Sequence, residues 1–327
     1  MRLHGIRATA ALLLCLLALS GCAAGGGKPP STAGSAVPVT LPEPPEVKIP
    51  PPRIALVLGG GAAKGFAHIG VIKALESQGI HPDIIAGTSA GSVVGALYAS
   101  GINGFELQRI ALDIKESAFS DWSLPDRGFL RGEALQEFVN KTVQNRPLEK
   151  LNTPIGVVAT DLQSGESIVF QRGDTGMAVR ASSTVPGLFQ PVRINGREYV
   201  DGGLASPLPV RTARRMGADI VIASDISARP ALARIQDTID VLLQTFAIMG
   251  NAIANAERQE ADVVIKPDIS RLNSTDFESR HLAILEGERA GLAAMPMLRQ
   301  KIAEREARLR AAASPRPVPT VPTPGTH

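Results

Sequence analysis

Gly87-Thr88-Ser89-Ala90-Gly91 is the stretch on which the fold turns. It follows the apolar run Ile84-Ile85-Ala86 and precedes a helical pattern, Val93-Val94-Gly95-Ala96-Leu97. A strand, a sharp turn and a helix with serine at the apex form a nucleophile elbow. Bulky side chains in such a turn would collide with the neighbouring strand and helix, which accounts for Gly87 and Gly91. The N-terminus of the following helix favours developing negative charge beside Ser89. A Gly-x-Ser-x-Gly run also arises by chance, so its meaning depends on what flanks it.

Upstream lies Ile54-Ala55-Leu56-Val57-Leu58, a buried-strand run that ends in Gly59-Gly60-Gly61-Ala62-Ala63-Lys64-Gly65. A helix follows, with Ile69, Ile72, Ala74 and Leu75 as its apolar stripe and Gly79 closing it. Downstream, helices are expected at about 104–116 and 132–143, with a loop carrying Trp122 and Leu124 between them. Pro154 to Thr160 reads as a second buried strand, and Ser164-Gly165 turns it towards Ser167-Ile168-Val169-Phe170. Thr175 to Ser183 reads as a helix, which Pro186 stops. Asn195-Gly196 between Val192-Arg193-Ile194 and Glu198-Tyr199-Val200 is a hairpin signal, and Asp201-Gly202-Gly203 follows it directly. A helix near 210–216, a strand at 220–223, a long helix at about 235–259, a strand at 263–265 and helical patterns over 278–310 complete the series. Strands alternating with helices mean α/β layers around a mostly parallel sheet.

Of the 327 residues, 44% are hydrophobic and 20% charged, with a net charge of +3. That composition supports a sizeable core in one or two domains. The small charge excess, with no basic stripe interleaved with aromatics, argues against nucleic acid as a partner. Arg2 and Arg7 precede the apolar run Ala8 to Leu19, and small residues lead to Leu19-Ser20-Gly21-Cys22. This is the pattern of a secretory signal, too short for an ordinary transmembrane helix. Leu-Ser-Gly-Cys resembles the lipobox of bacterial lipoproteins, which implies lipidation at Cys22. The other cysteine, Cys15, falls in the removed segment, so no disulfide is expected in the mature chain. The expected organisation is a signal peptide over 1–21, a Pro/Gly-rich tether over 22–52, one folded domain over 53–310 and a disordered Pro-rich tail over 311–327.

Acyl transfer needs a nucleophile, a base and donors for the oxyanion. Ser89 is the candidate nucleophile and the glycine loop the candidate donor. Nucleotide motifs fit that loop poorly. A P-loop needs Ser or Thr after Gly-Lys, but Lys64 is followed by Gly65; a dinucleotide fingerprint starting at Gly59 needs glycine where Lys64 stands. For the base there are five histidines. His4 and His327 sit at the chain ends, His68 on the helix after the glycine loop and His81 in a turn. Only His281 follows Asp201 in the Ser, Asp, His order of α/β-hydrolases, on a polar helical stretch. Asp201 can instead take the Ser89 proton directly if its carboxylate reaches the hydroxyl. Asp-Gly-Gly alone would equally be a simple turn. No His/Cys cluster suggests a metal, and no cofactor is expected.

Taken in order, these pieces resemble the patatin-like phospholipase family, specifically bacterial members related to neuropathy target esterase. The likeness runs over about residues 53–225. It is carried by Gly59 to Val71, by the elbow at 87–91, by Val179-Arg180-Ala181-Ser182-Ser183 with Pro186, and by Asp201-Gly202-Gly203. The resemblance implies a three-layer α/β fold with a mostly parallel central sheet. It also implies a Ser89–Asp201 dyad and an oxyanion hole at Gly60 and Gly61. Ala62 stands where the family block has glycine, and alanine keeps its backbone N–H. Lys64 matches the family's basic position, either anchoring the loop or meeting anionic head groups. Gly59, Gly65, Gly87, Gly91, Gly202 and Gly203 complete the motifs.

The function expected is a membrane-tethered serine lipid acyl hydrolase, acting on a phospholipid, lysophospholipid or other acyl ester through an acyl-enzyme. The lipoprotein likeness, with Ala23 after Cys22, implies the periplasmic face of an outer membrane if the source has two membranes. Two alternatives stay open at this point: an idle patatin-fold binding or scaffold lipoprotein, and an α/β-hydrolase with a Ser89–Asp201–His281 triad.

Overall fold

The apolar runs become the strands of one mixed sheet in this computed structural model, which describes residues 49–114, 130–227, 238–270, 272 and 278–313. The signal-like segment, Cys22, most of the tether, Trp122, Leu124 and the tail beyond 313 lie outside the described residues. In chain order the elements are β1 (Ile54–Leu58), α1 (Phe66–Ser77), β2 (Ile84–Thr88), α2 (Ala90–Ala99), α3 (Gly104–Asp113), α4 (Glu133–Thr142), β3 (Ile155–Asp161), β4 (Ser167–Phe170) and α5 (Thr175–Ser182). They continue with β5 (Val192–Ile194), β6 (Arg197–Asp201), α6 (Val210–Arg215), β7 (Ile220–Ser224), α7 (Thr238–Arg258), β8 (Val263–Ile265) and α8 (Arg280–Ala313).

The strand order is β5-β6-β3-β2-β1-β7-β8, with β4 pairing to β3. Strands β3, β2, β1, β7 and β8 run parallel, whereas β4, β5 and β6 are antiparallel additions on the β3 side. Central parallel strands are buried on both faces, so they read as continuous apolar runs instead of alternating ones. In β1, Leu56 and Leu58 pack into the core shared with α1, α2 and α8. Ala55 and Val57 face the opposite core, built with Leu208, Val210 and Ala213 of the α6 region and Ala254 of α7. Both leucines are fully buried, and each contributes about 1.5–3 kcal/mol by leaving water. Helices thus cover both sides of the sheet, giving the α/β architecture expected.

One detail of register brings the chemistry together. Residues 157–160 of β3 pair with β4 along one edge. The other edge is therefore shared: β2 pairs there with Thr88 opposite Val158, and β6 with Asp201 opposite Ala159. Two strands from distant parts of the chain end against consecutive residues of β3. The β5–β6 hairpin that delivers Asp201 turns on Asn195 and Gly196, both at positive φ (49° and 80°), as the Asn-Gly signal requires.

Candidate active site

Ser89 sits between β2 and α2 with φ 52° and ψ −125°, a conformation that a residue with a side chain adopts only under constraint. The constraints are visible. The Ser89 N–H donates to Ser182 Oγ at 2.9 Å, and the Ser182 hydroxyl donates to the Val158 carbonyl at 2.5 Å. One side chain from the end of α5 thereby ties the elbow to β3. The Ser89 carbonyl accepts from the Ser92 N–H at 2.8 Å and from its hydroxyl at 2.7 Å. A Cβ on Gly91 would run into the Leu58 carbonyl, so α2 can approach β1 this closely only with glycine there.

Asp201 meets this serine directly. Ser89 Oγ donates to Asp201 Oδ2 at 2.7 Å, and the Gly203 N–H donates to Oδ1 at 2.7 Å. One carboxylate oxygen is thus fixed by the backbone while the other holds the hydroxyl. The Asp201 backbone is held as well, its N–H on the Thr184 carbonyl at 2.8 Å and its carbonyl on Thr160 Oγ1 at 2.9 Å. Burial pushes the Asp201 carboxyl up to about 6, against the opposing pull of the Gly203 and Ser89 hydrogen bonds. Gly202 is needed for packing, since a Cβ there would strike the Val158 carbonyl.

The glycine loop departs from expectation at one atom. The Gly60 N–H donates to the Pro207 carbonyl at 2.9 Å, which removes it from the expected Gly60/Gly61 donor pair. Gly60 still lines the site, with Ser89 Cβ in ordinary contact range of its open side. The N–H groups of Gly61 and Ala62 have no partner among the described residues. Ala62 sits at φ 50°, at some backbone strain for a residue with a Cβ.

His68 anchors the base of this loop. It is fully buried, with Nε2 2.8 Å from the Gly59 carbonyl and Nδ1 2.8 Å from Ser224 Oγ. Burial pushes its pKa down to about 4, so the ring is neutral near pH 7. Its partners assign Nε2–H as donor to Gly59 and Nδ1 as acceptor from the Ser224 hydroxyl. The Gly59 N–H also donates to the Ser224 carbonyl at 3.1 Å. Lys64 is buried, which pushes its amino group down, and it does not line the cavity. His81 and His281 are exposed. Among the described residues no histidine is hydrogen-bonded to Asp201, whose two oxygens are taken by Ser89 and Gly203.

Ser89 and Asp201 open into a cavity of about 240 Å³. Val185, Pro186 and Leu204 line one part, and Leu243, Phe246 and Ala247 of α7 line another. Among the described residues, Asp201 is the one charged residue in that lining. Glu257, near the end of α7, is buried and clamps the helix to the loop behind Gly60. Its Oε1 accepts from the Ser206 hydroxyl and its Oε2 from the Leu208 N–H at 2.8 Å, flanking Pro207. Burial pushes Glu257 up to about 7. From the sequence, Glu257 is not marked out, His68 is placed on its helix without a partner, and Ser182 appears only within the motif over 179–183. The available signal for Glu257 was an acid three residues after Ala254 on the buried face of a helix. Among the described residues no three His, Cys, Asp or Glu side chains are grouped to hold a metal ion.

Residues 56–214 match the model of the patatin-like phospholipase family. The chain carries a patatin-like phospholipase domain. An NTE family protein of Mycobacterium tuberculosis is 40% identical over 187 residues, covering 55% of this chain and 51% of the relative. Patatin-like phospholipase domain-containing protein 6 of Homo sapiens is 37% identical over 184 residues, covering 54% of this chain and 13% of that protein. The chain spans about half the length of the mycobacterial relative. VipD from Legionella pneumophila shares the fold, with a TM-score of 0.53 at 14% identity over 78% of this chain and 67% of that one. Within the patatin-like domain fall the glycine loop, the elbow, Ser182 and Asp201. The α7 wall of the cavity lies beyond the matched residues.

Proposed function

We propose that this chain is a serine lipid acyl hydrolase working through a Ser89–Asp201 dyad. The observation that carries the proposal is the 2.7 Å hydrogen bond from Ser89 Oγ to Asp201 Oδ2 at the apex of a strained elbow. Asp201 takes the hydroxyl proton as Ser89 Oγ attacks the ester carbonyl. The N–H groups of Gly61 and Ala62, without a partner among the described residues, stabilise the tetrahedral oxyanion. The carbon–oxygen bond to the alcohol then breaks, and Asp201 returns the proton to the departing alkoxide. Water, deprotonated in turn by Asp201, hydrolyses the acyl-serine and frees the enzyme. A cavity lined mainly by apolar and small residues, with Asn251 and Ser227 as polar members and no charge besides Asp201 among the described residues, suits an acyl chain better than a polar substrate.

The same proposal includes attachment to a membrane through a lipid on Cys22, at the periplasmic face of an outer membrane if the source has two membranes. It rests on the Leu-Ser-Gly-Cys signal and the Pro-rich stretch after it.

The test compares the parent chain with Ser89→Ala on phospholipid, lysophospholipid and short-chain nitrophenyl ester, with folding checked by circular dichroism. Loss of hydrolysis in a folded Ser89→Ala chain is expected. Hydrolysis at the parental rate in that variant would remove Ser89 from the nucleophile role.

A further inference from the structure

Helix α7 carries a second apolar face, turned away from the cavity. Leu243, Phe246, Ala247 and Gly250 line the cavity, and Ala254 and Glu257 continue that face into the core. At 100° per residue these positions lie on one side of the helix. Val241, Leu242, Ile248 and Met249 project from another sector and are 53%, 37%, 51% and 51% exposed. From Val241 to Ala256 the helix has no charged residue. A surface helix ordinarily places charged and polar side chains on its outer face. From Val241 to Met249 this helix carries apolar side chains on both sides, and contiguous exposed apolar surface marks a docking site.

The polar groups of the outer face decide what docks there. Thr245 lies between Val241 and Met249 on that sector, and its hydroxyl is donated back to the Val241 carbonyl at 2.8 Å. The sector formed by Val241, Leu242, Thr245, Ile248, Met249 and Ala252 therefore offers an occupant no side-chain donor and a single acceptor, the Thr245 hydroxyl oxygen. A protein partner of ordinary kind would need such groups, at about one hydrogen bond per 100–200 Å². A hydrocarbon phase demands the reverse, that every polar group be satisfied within the protein. No described helix is long and apolar enough to cross a membrane, so the geometry is that of a helix lying in the interface.

We propose that the outer face of α7 inserts into the acyl region of a lipid bilayer, setting the cavity mouth against the membrane. This rests on the lipid hydrolase proposed above and says how its substrate arrives. An ester drawn from the bilayer reaches Ser89 alongside the same helix, on the face that carries Leu243 and Phe246.

The experiment uses the chain without residues 1–22, so that neither the apolar signal-like segment nor a lipid on Cys22 masks the effect, and adds Ile248→Asp with Met249→Asp. Neither residue lines the cavity. Two quantities are measured: partition onto phosphatidylcholine/phosphatidylglycerol vesicles, and hydrolysis of a vesicle-borne phospholipid beside a soluble nitrophenyl ester. Removing two inserting side chains should weaken vesicle partition by more than roughly tenfold. Hydrolysis in vesicles should fall in parallel, while the soluble ester rate stays within about twofold. In a chain with Ile248→Trp and Trp122→Phe, indole emission should shift to the blue when vesicles are added.

Unchanged partition together with an unshifted indole would overturn the insertion and leave the hydrolase standing. A parent chain that dimerises in solution, with a monomeric aspartate variant of parental vesicle affinity, would reassign the face to a second copy. Equal loss on both substrates with unaltered partition would likewise overturn it. A parent chain that binds vesicles through Ile248 and Met249 yet hydrolyses neither ester would uphold docking and sink the proposed activity.

Discussion

Replacing Asp201 by Asn should raise the relative stability of the fold at neutral pH while destroying the activity. Asp201 is 7% exposed, and burial moves its carboxyl pKa from 3.8 to about 6. A carboxyl with a higher pKa folded than unfolded binds its proton more tightly in the native state. Its stabilising contribution is complete below the unfolded value and is lost as pH rises through the folded one. The shift from 3.8 to about 6, at ~1.36 kcal/mol per unit, amounts to about 3 kcal/mol. Asn does not titrate. The stability of Asp201→Asn minus that of the parent should therefore rise by about 3 kcal/mol between pH 3.5 and pH 7.5. Taking the difference between variants cancels the parallel contribution of Glu257 and any fixed penalty from the amide's hydrogen bonding. The assay is urea unfolding of both proteins across that range. Activity supplies a second readout of the same proton. Asp201 must be ionised to accept from Ser89, so kcat/KM should fall about tenfold per pH unit below a midpoint near 6. In Asp201→Asn it should be lower by about 10²–10⁴-fold above that midpoint, and the dependence on this proton should disappear. A flat stability difference, or a rate that ignores pH between 5 and 8 while ester cleavage limits turnover, would refute the reasoning.

Three further substitutions probe the supports of the dyad. Ser182→Ala leaves the Ser89 N–H and the Val158 carbonyl without their partner, at about 1–3 kcal/mol per unpaired group; a lower Tm and a reduced kcat at little-changed KM are expected. Glu257→Ala strips acceptors from Ser206 and the Leu208 N–H and should lower stability by about 2–3 kcal/mol, measured by urea unfolding. Glu257→Gln retains one acceptor and should recover most of that loss, a split that simple truncation of packing would not produce. His281→Ala alters an exposed side chain, so the ester rate should stay within about twofold of the parent; a rate as low as that of Asp201→Asn would restore the triad.

What could be read from the chain was local. The Ile54–Leu58 and Ile84–Thr88 strands announce themselves as unbroken apolar runs, because a parallel strand buried on both faces has no polar side to show. Asn195-Gly196 fixes its hairpin because two adjacent residues must adopt positive φ. The pairing of Ser89 with Asp201 came from motif order, and its physical cause is not local. It depends on β2 and β6 sharing one edge of β3, and no pattern within either strand encodes that register. The Gly60 N–H shows the same limit. A glycine in the loop can be read from sequence, but whether its N–H stays free depends on the Pro207 carbonyl, about 150 residues away along the chain. His68 and Glu257 were hidden for a related reason, since a polar residue on a helix reads as solvated until its buried partners are known.

The most direct measurement is to expose the folded chain to a fluorophosphonate and locate the adduct by mass spectrometry of its peptides. Phosphonylation of the peptide at Ser89, quenched at low pH as Asp201 takes its proton and absent from a folded Ser89→Ala chain, is the expected result. An adduct on any other residue, or the same labelling in Ser89→Ala, would contradict the assignment of Ser89 as the nucleophile.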